Sequence, residues 1–294
     1  MKIPKFFGLH AVPGKKIAFF LMLIPFVVVL GVYIFGSHYR LSENPRDKIM
    51  PAISTMVNST IEIAIEPNHM IRGYKAPTTV WGKIKAIPEG KLFNDIEASL
   101  MRLVIAVALA AIVGLLLGMN MALFPGMASL LNPFITFFSN IPALALMPIL
   151  LILLGTGDLT KIMLIFLGIV FTIIRDIFRA TNDVPKEQIT KALSLGATQL
   201  EVVYKIILPQ IMPALLSTVR LSLGSAWLFL IAGEAVVSMD GLGYRIYLVK
   251  RYLAMHIIIP YVFTITGLAY LLDWILKKTI CWLYPWYAET KGAK

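Results

Sequence analysis

Residues 182–213 read NDVPKEQITKALSLGATQLEVVYKIILPQIMP and separate two long apolar blocks of the chain. Four residues of this stretch fall on one face of a helix at the spacing i, i+3, i+4, i+7: Ile189, Ala192, Leu193 and Gly196. This spacing predicts a short amphipathic helix over 185–196 that ends at a glycine. Such a helix lies either on a lipid surface or in the groove of a partner protein, and the pattern alone leaves both open.

Polar residues around this stretch predict where its helices begin. Asn182 or Asp183 is the expected cap of the first helix. Thr198, followed three residues later by Glu201, is typical of a capping box and predicts a second helix. Pro209 comes shortly before the next apolar block.

The composition requires lipid as the solvent for much of the chain. Hydrophobic residues make up 58% of the 294 residues and the mean hydropathy is +0.80, whereas soluble domains are about 45–50% apolar. The net charge of +11 fits nucleic-acid binding or cytoplasmic loops that obey the positive-inside rule. Lys and Arg flank the apolar blocks rather than forming one basic surface, so we expect the membrane and not a nucleic acid as the partner.

Six apolar blocks predict six transmembrane helices. They cover about 17–35, 99–121, 130–154, 159–178, 213–237 and 256–276. The first has nineteen uncharged residues and reaches about 29 Å as a helix, which matches one hydrocarbon core. The third contains Pro133, Pro142 and Pro148, so we expect kinks or a broken helix that either packs or lines a path. Charged residues near span ends, Arg102, Lys161 and Arg175, are expected to extend to the interfaces.

An even number of spans places both termini on one side, and the basic residues indicate which side. The segments assigned to the cytoplasm carry Lys2, Lys5, Lys15, Lys16, Arg175, Arg179, Lys186, Lys191, Lys205, Lys277, Lys278, Lys291 and Lys294. The short outside loops carry only Lys161, Arg245, Lys250 and Arg251. We therefore predict that both termini are cytoplasmic.

This topology divides the chain into five parts. Residues 1–16 form a cytoplasmic segment, 17–35 the first transmembrane helix, and 36–93 a periplasmic loop with an amphipathic helix between 49 and 65. A core with five transmembrane helices occupies 94–280, with its main cytoplasmic loop at about 182–209, and 281–294 is a cytoplasmic tail.

Several stretches together resemble binding-protein-dependent ABC-importer permeases of the nitrate, sulfonate and taurine branch. The first stretch runs from Ala192 to Ala197 and is followed about a dozen residues later by Leu208-Pro209. This motif is similar to the EAA loop of that family. It departs from the family pattern at Thr190 and Lys191. The others are 98–102, 141–148, 219–227, Gly233-Glu234 and 241–244, so the resemblance covers about 94–280.

The resemblance implies an all-α type I ABC-importer permease fold in the bacterial inner membrane. It implies two ATPase subunits, a periplasmic solute-binding protein and a second copy of the chain as partners, with alternating access as the mechanism and ATP hydrolysis on the partner. The expected ATPase-coupling residues are Ile189, Ala192, Leu193, Leu195, Gly196, Ala197 and Pro209. The implied solute is a small oxyanion such as nitrate, a sulfonate or taurine.

Polar residues at membrane depth are the candidates for the translocation path, because such groups face protein or water. They are Asn140, Ser225 and Glu234. No catalytic, cofactor or metal pattern is expected, since Cys281 is the only cysteine and the four His are scattered. A secondary transporter or channel that works alone is the second hypothesis and predicts paired charges near the midplane, and a membrane-embedded enzyme is the third.

Overall fold

The computed structural model describes residues 14–45, 47–67, 88 and 90–290. These residues form helices and connecting turns, and the one β-bridge among them joins Pro67 to Gly90. The all-α prediction is therefore confirmed. The terminal lysines at 2, 5, 291 and 294, and most of the segment 66–91, lie outside the described residues.

The chain divides into two compact units, the smaller built from 1–62 and 249–260 and the larger from 63–248 and 261–294. The smaller unit contains α1 (Lys15–Glu43) and most of α2 (Ile53–Ile65). The hydroxyl of Tyr33 donates to the Pro51 carbonyl at 2.8 Å, and Ser37 donates to the Met50 carbonyl at 3.0 Å. Apolar side chains of α1 such as Phe26 are 72% exposed, as expected for a helix whose solvent is lipid.

The remaining helices follow in chain order. They are α3 (Lys91–Leu123), α4 (Pro125–Ser139), a 3₁₀ turn (Ala143–Leu146), α5 (Met147–Leu154), α6 (Asp158–Asn182), α7 (Lys186–Ser194), α8 (Gln199–Val202), a π turn (Val203–Ile207), α9 (Leu208–Val237), α10 (Leu242–Lys250), α11 (Met255–Leu283) and α12 (Pro285–Thr290). The helices begin before the apolar blocks, and α1, α3, α6 and α11 also end after them, because a helix continues into polar sequence until a turn residue or proline stops it.

The core of the larger unit lies between α3, α6 and α9. Near one end of α3, Arg102 pairs with Asp158 at the start of α6. Farther along α3, Gly118 packs so closely on α6 that an added Cβ would lie 2.9 Å from the Cβ of Ile177. The two helices therefore run in the same direction, which requires 125–154 to return across about 24 Å.

That return segment is bent by 85° between Pro125–Ser139 and Ala143–Leu154. The break falls at Asn140 and Ile141, directly before Pro142, which removes a backbone donor and disfavours a helical residue before it. The prediction that the prolines kink or break this helix is confirmed, although the segment begins at Pro125 rather than at 130; its crossing of the membrane stays a prediction.

Among the described helices, four are long and apolar enough to cross a membrane by themselves, or five if the bent pair is one span. They are α1, α3, the continuous segment Gln199–Val236 and α11. The fourth predicted span, α6, carries charges near both ends but packs along α3, and its buried face includes Leu164, Ile169 and Ile173. Its membrane crossing stays a prediction.

Candidate functional site: the α7–α8 loop and a buried polar cluster

The α7–α8 loop, residues 183–207, occupies one end of the core. Helix α6 continues to Asn182, and α7 begins at Lys186 with Pro185 as its N-cap. The prediction that Asn182 or Asp183 caps α7 is therefore wrong. Pro185 takes that place because it has no backbone N–H, and the N–H groups at the start of a helix have no partner within the helix in any case.

Gly196 terminates α7 in a Schellman motif. The Ala197 amide donates to the Ala192 carbonyl at 3.1 Å, and the Gly196 amide donates to the Leu193 carbonyl at 3.0 Å. Gly196 has φ +89°, in the left-handed region where an L side chain is strained. The spacing from Ala192 to Gly196 and Ala197 is thus the sequence signature of this helix end.

The residues expected to couple to the ATPase lie on or next to this turn. Leu195 is 80% exposed and Leu193 is 45% exposed. Gly196 and Pro209 are exposed, and Ile189, Ala192 and Ala197 are half-buried. Nothing lies within 4 Å of the position that a Cβ on Gly196 would take. The loop therefore presents an apolar surface that the described residues leave uncovered.

The second helix of the loop begins as predicted. Thr198 accepts from the Glu201 amide at 3.3 Å, and the Glu201 carboxylate accepts from the Thr198 amide at 3.0 Å, which completes a capping box. A π turn over Val203–Ile207 then joins α8 to α9 without a break. The loop is tied to α9 by the Gln210 amide, which donates to Gln188 at 2.8 Å.

The opposite end of the core holds a cluster of polar side chains, which we call the polar cluster. Its members come from α3, α6, α9, α10, α11 and the turn after α9: Asp95, Ser99, Arg102, Asp158, Lys161, Glu234, Ser238, Asp240, Arg245 and Tyr261. Asp95, Ser99 and Arg102 project from one face of α3 at the spacing i, i+4, i+7. Asp95, Ser99 and Glu234 have no exposed surface.

Arg102 is the centre of the polar cluster. Its guanidinium donates to the Glu234 carboxylate at 2.8 Å and to Asp158 at 2.9 Å, and it also pairs with the Asp240 carboxylate. Glu234 accepts in addition from the Ser99 hydroxyl at 2.7 Å and from the Gly243 amide at 2.8 Å. One arginine therefore joins α3 to α6, to α9 and to the turn that follows α9.

Asp95 makes a second connection, which joins α3 to α10 and α11. It receives two hydrogen bonds from Arg245, at 2.9 and 3.2 Å, and one from the Tyr261 hydroxyl at 3.0 Å. The Gly241 amide, before the first turn of α10, donates to it at 3.1 Å, so the carboxylate also faces the positive end of that helix. Burial by itself lowers the pKa of Arg245, but the hydrogen bonds and charge of Asp95 outweigh it and hold that pKa above its ordinary value.

The polar cluster corrects two expectations about span ends. Arg102 and Lys161, each 4% exposed, do not extend to an interface. Lys161 donates to Asp158 and to the Ser238 hydroxyl, both at 3.0 Å. The sequence did carry a signal for this network, since Asp95, Ser99 and Arg102 interrupt an apolar helix at one-face spacing.

The three candidate path residues lie in different surroundings. Asn140 is exposed at the bend after α4, where its amide donates to the Thr136 carbonyl at 2.8 Å. Ser225 is exposed on α9. Glu234 is enclosed in the polar cluster. The structure does not bring the three together, so their common role in a path stays a prediction.

A further ion pair joins α9 to α11, where the sequence suggested no charge pair. The Nε of Arg220 lies 3.0 Å from an Asp273 carboxylate oxygen. Within the described part of the chain, no group of three or more His, Cys, Asp or Glu side chains is arranged to hold a metal ion.

Residues 110–278 match the family model described as binding-protein-dependent transport system inner membrane component. The taurine transport system permease protein TauC of Escherichia coli is 30% identical over 69% of this chain and 74% of its own length. The bicarbonate transport system permease protein CmpB of Synechococcus elongatus is 28% identical over 66% of this chain and 69% of its own length.

A solved structure of the MetNI methionine ABC transporter in inward-facing conformations shares the fold, with a TM-score of 0.59 and 20% identity. The match covers 65% of this chain and 95% of that chain. The family model spans more than half of the chain, and the apolar helices are those of a multi-pass membrane protein. The chain belongs to the family of binding-protein-dependent transport inner membrane components.

Proposed function

We propose that this chain is the membrane-spanning half of an ATP-driven importer. Two copies assemble with two ATPase subunits and a periplasmic solute-binding protein, and the ATPase subunits carry the hydrolysis of ATP. The observation that carries the proposal is the exposed apolar surface of the α7–α8 loop, with Leu195 80% exposed beside a left-handed Gly196. Each chain has one such loop, so two ATPase subunits need two chains.

The coupling contact is the end of α7. Leu193 and Leu195 insert into a groove of the ATPase, and Gly196 allows the two backbones to approach because no side chain intervenes. Ile189, Ala192, Ala197 and Pro209 border this contact. An exposed amphipathic helix can also lie on a lipid surface. Here the apolar face is short, and the loop exposes both an acidic residue, Glu201, and a basic one, Lys205.

Transport follows from two arrangements of the helix bundle. ATP closes the ATPase dimer, α7 transmits the movement, and the bundle changes the side toward which it opens. The broken segment between α4 and α5 and the second half of α9 line the path, with Asn140, Ser225 and Glu234 as the polar residues along it. Glu234 is enclosed here and contacts the path only when the polar end of the bundle opens.

The solute is a small molecule that carries an oxyanion group. The similar proteins named for a solute include permeases for taurine, aliphatic sulfonates and bicarbonate. Each of these solutes presents two or three oxygen atoms with delocalised negative charge. Both termini lie in the cytoplasm, as the distribution of Lys and Arg indicates, and the α7–α8 loop lies on the same side.

Co-purification tests the proposal. The permease, solubilised in mild detergent after co-expression with the ATPase subunit of its transport system, is expected to retain two ATPase subunits per two permease chains by native mass measurement. A single permease chain per ATPase pair contradicts the homodimer. Solute uptake by the permease in liposomes without any ATPase contradicts the importer itself and supports a transporter that works alone. Reporter fusions at both ends check the topology, and an external terminus contradicts it.

A further inference from the structure

Arg220 and Asp273 form an ion pair far from the ends of their helices. Arg220 is twelve residues after the start of α9 at Leu208, or about 18 Å, and Asp273 is ten residues before the end of α11 at Leu283, or about 15 Å. Along α9, Arg220 lies about 21 Å from Glu234 in the polar cluster, which is less than the thickness of a hydrocarbon core. Counted from the ends of the predicted spans 213–237 and 256–276, Arg220 lies about 10 Å and Asp273 about 5 Å inside the apolar region, so the pair lies within the span, nearer to the side of the α7–α8 loop.

The buried Arg102 and the half-buried Arg220 differ in how many acceptors they have. Arg102 has three carboxylate partners and a side chain that is 5% exposed. Arg220 has one carboxylate partner, and its side chain is 29% exposed. Its buried Nε lies close to Asp273 but makes no hydrogen bond with any described residue. A buried donor without an acceptor is costly, particularly at membrane depth.

Arg220 lies at the edge of an open face of α9. Residues on that face are exposed and recur at helical spacing: Leu221, Gly224, Ser225 and Leu228. A charged pair at membrane depth faces protein or water rather than lipid, because the cost of placing it in hydrocarbon is several kcal/mol. The side of α9 that carries Arg220 therefore faces the inside of the assembled transporter.

We propose that the Arg220 guanidinium binds the oxyanion group of the solute as it crosses the membrane, and that Asp273 is the counter-ion that holds this guanidinium between transport cycles. The inference rests on the proposed function and adds the site to it. A guanidinium presents its N–H donors as a planar fork that matches two oxygens of a sulfonate or carboxylate. The oxygens of the solute accept hydrogen bonds from those N–H groups of Arg220 that Asp273 alone does not satisfy.

The experiment compares variants of the whole transporter in liposomes, with ATPase and binding protein present and labelled taurine, ethanesulfonate and bicarbonate supplied in turn. Arg220→Lys keeps the charge but removes the fork, and Arg220→Gln removes both. We expect uptake of the carried solute to fall about tenfold in Arg220→Lys, which corresponds to about 1.4 kcal/mol, and at least as far in Arg220→Gln. ATP hydrolysis stimulated by the binding protein stays within about twofold of the wild type.

Two controls separate solute binding from a structural role. Arg40→Lys alters another arginine that has a single carboxylate partner, Asp47 at 2.5 Å, and leaves uptake unchanged. The reversed pair, Arg220→Asp with Asp273→Arg, restores an α9–α11 bridge but moves the guanidinium to the other helix, so uptake stays low.

Three results overturn the inference: unchanged uptake in Arg220→Lys, a parallel fall of uptake and ATP hydrolysis, or recovery of uptake in the reversed pair. A wild-type complex that couples ATP hydrolysis to its binding protein but carries none of the three solutes overturns the oxyanion assignment. A permease that neither assembles with an ATPase nor transports contradicts the proposed function instead.

Discussion

The two ends of the core reverse the usual distribution of polar and apolar residues. At the polar cluster, Asp95 and Glu234 are fully buried and paired within the chain. At the α7–α8 loop, Leu193 and Leu195 are exposed. Charges satisfied internally make the first end complete in itself, whereas the apolar surface of the second end gains stability only when another surface covers it. We therefore propose that the polar cluster is the rigid end and that the α7–α8 loop is the end that binds the ATPase.

Removing a charge from the polar cluster is expected to have the largest effect on folding. Glu234→Ala leaves the Arg102 and Ser99 donors without their buried acceptor, and breaking a buried pair costs about 3–5 kcal/mol. We expect a large fall in the thermal unfolding temperature of the detergent-solubilised protein. The control is Lys205→Ala, which breaks the exposed pair with Glu201 and should change the unfolding temperature little. Equal unfolding temperatures for the two variants contradict the assignment of the polar cluster as the rigid end.

Gly196→Leu is expected to lower stability less but to abolish partner binding. A leucine at φ +89° costs about 1–2 kcal/mol of backbone strain, and its side chain separates the loop from the ATPase. Gly155→Leu is the control for backbone strain, because Gly155 has positive φ and open surroundings but follows α5, and its ψ of −162° makes a side chain there at least as costly. Co-purification of the ATPase should be lost in the first variant and retained in the second. Retention in both means that α7 is not the coupling helix.

Leu195→Ser is expected to leave folding nearly unchanged. The side chain is 80% exposed, so its replacement alters the free energy of unfolding by less than about 0.5 kcal/mol. Its loss removes apolar area from the proposed contact, and the amount of co-purified ATPase should fall by more than half. Leu153→Ser, at a residue 73% exposed near the end of α5, is the comparison and should not change that amount. Similar losses of co-purified ATPase in both variants would mean that any polar substitution of an exposed leucine weakens the complex, and would contradict a specific contact at Leu195.

The local features of the loop were accessible to prediction, because they depend on neighbours in sequence. The capping box at Thr198 and the helix end at Gly196 are set by residues within five positions of each other. The N-cap of α7 was not predicted correctly, since several polar residues precede it and α6 extends through Asn182 before the turn. Because Asn182 already belongs to α6, it cannot cap α7, and cap propensity does not reveal how far the preceding helix extends.

The polar cluster was harder to predict because its partners are far apart in sequence. Arg102 was expected at an interface, and no local pattern shows that Glu234 and Asp240 meet it more than a hundred positions later. The same holds for Arg220 and Asp273. Lone charges near the ends of apolar spans look alike in sequence whether they extend to the interface or pair inside the bundle.

The sequence by itself determined that this is a helical membrane protein. It also determined that a loop containing a short amphipathic helix resembles that of the importer permeases. Apolar block length, proline positions and the Ala192-to-Ala197 spacing are properties of contiguous residues, and hydrophobic and backbone energetics act on them directly. The tertiary structure alone decided which charges are buried and which loop surface stays open. Those outcomes depend on the parallel packing of α3 and α6, which brings residues from distant segments to the same end of the bundle.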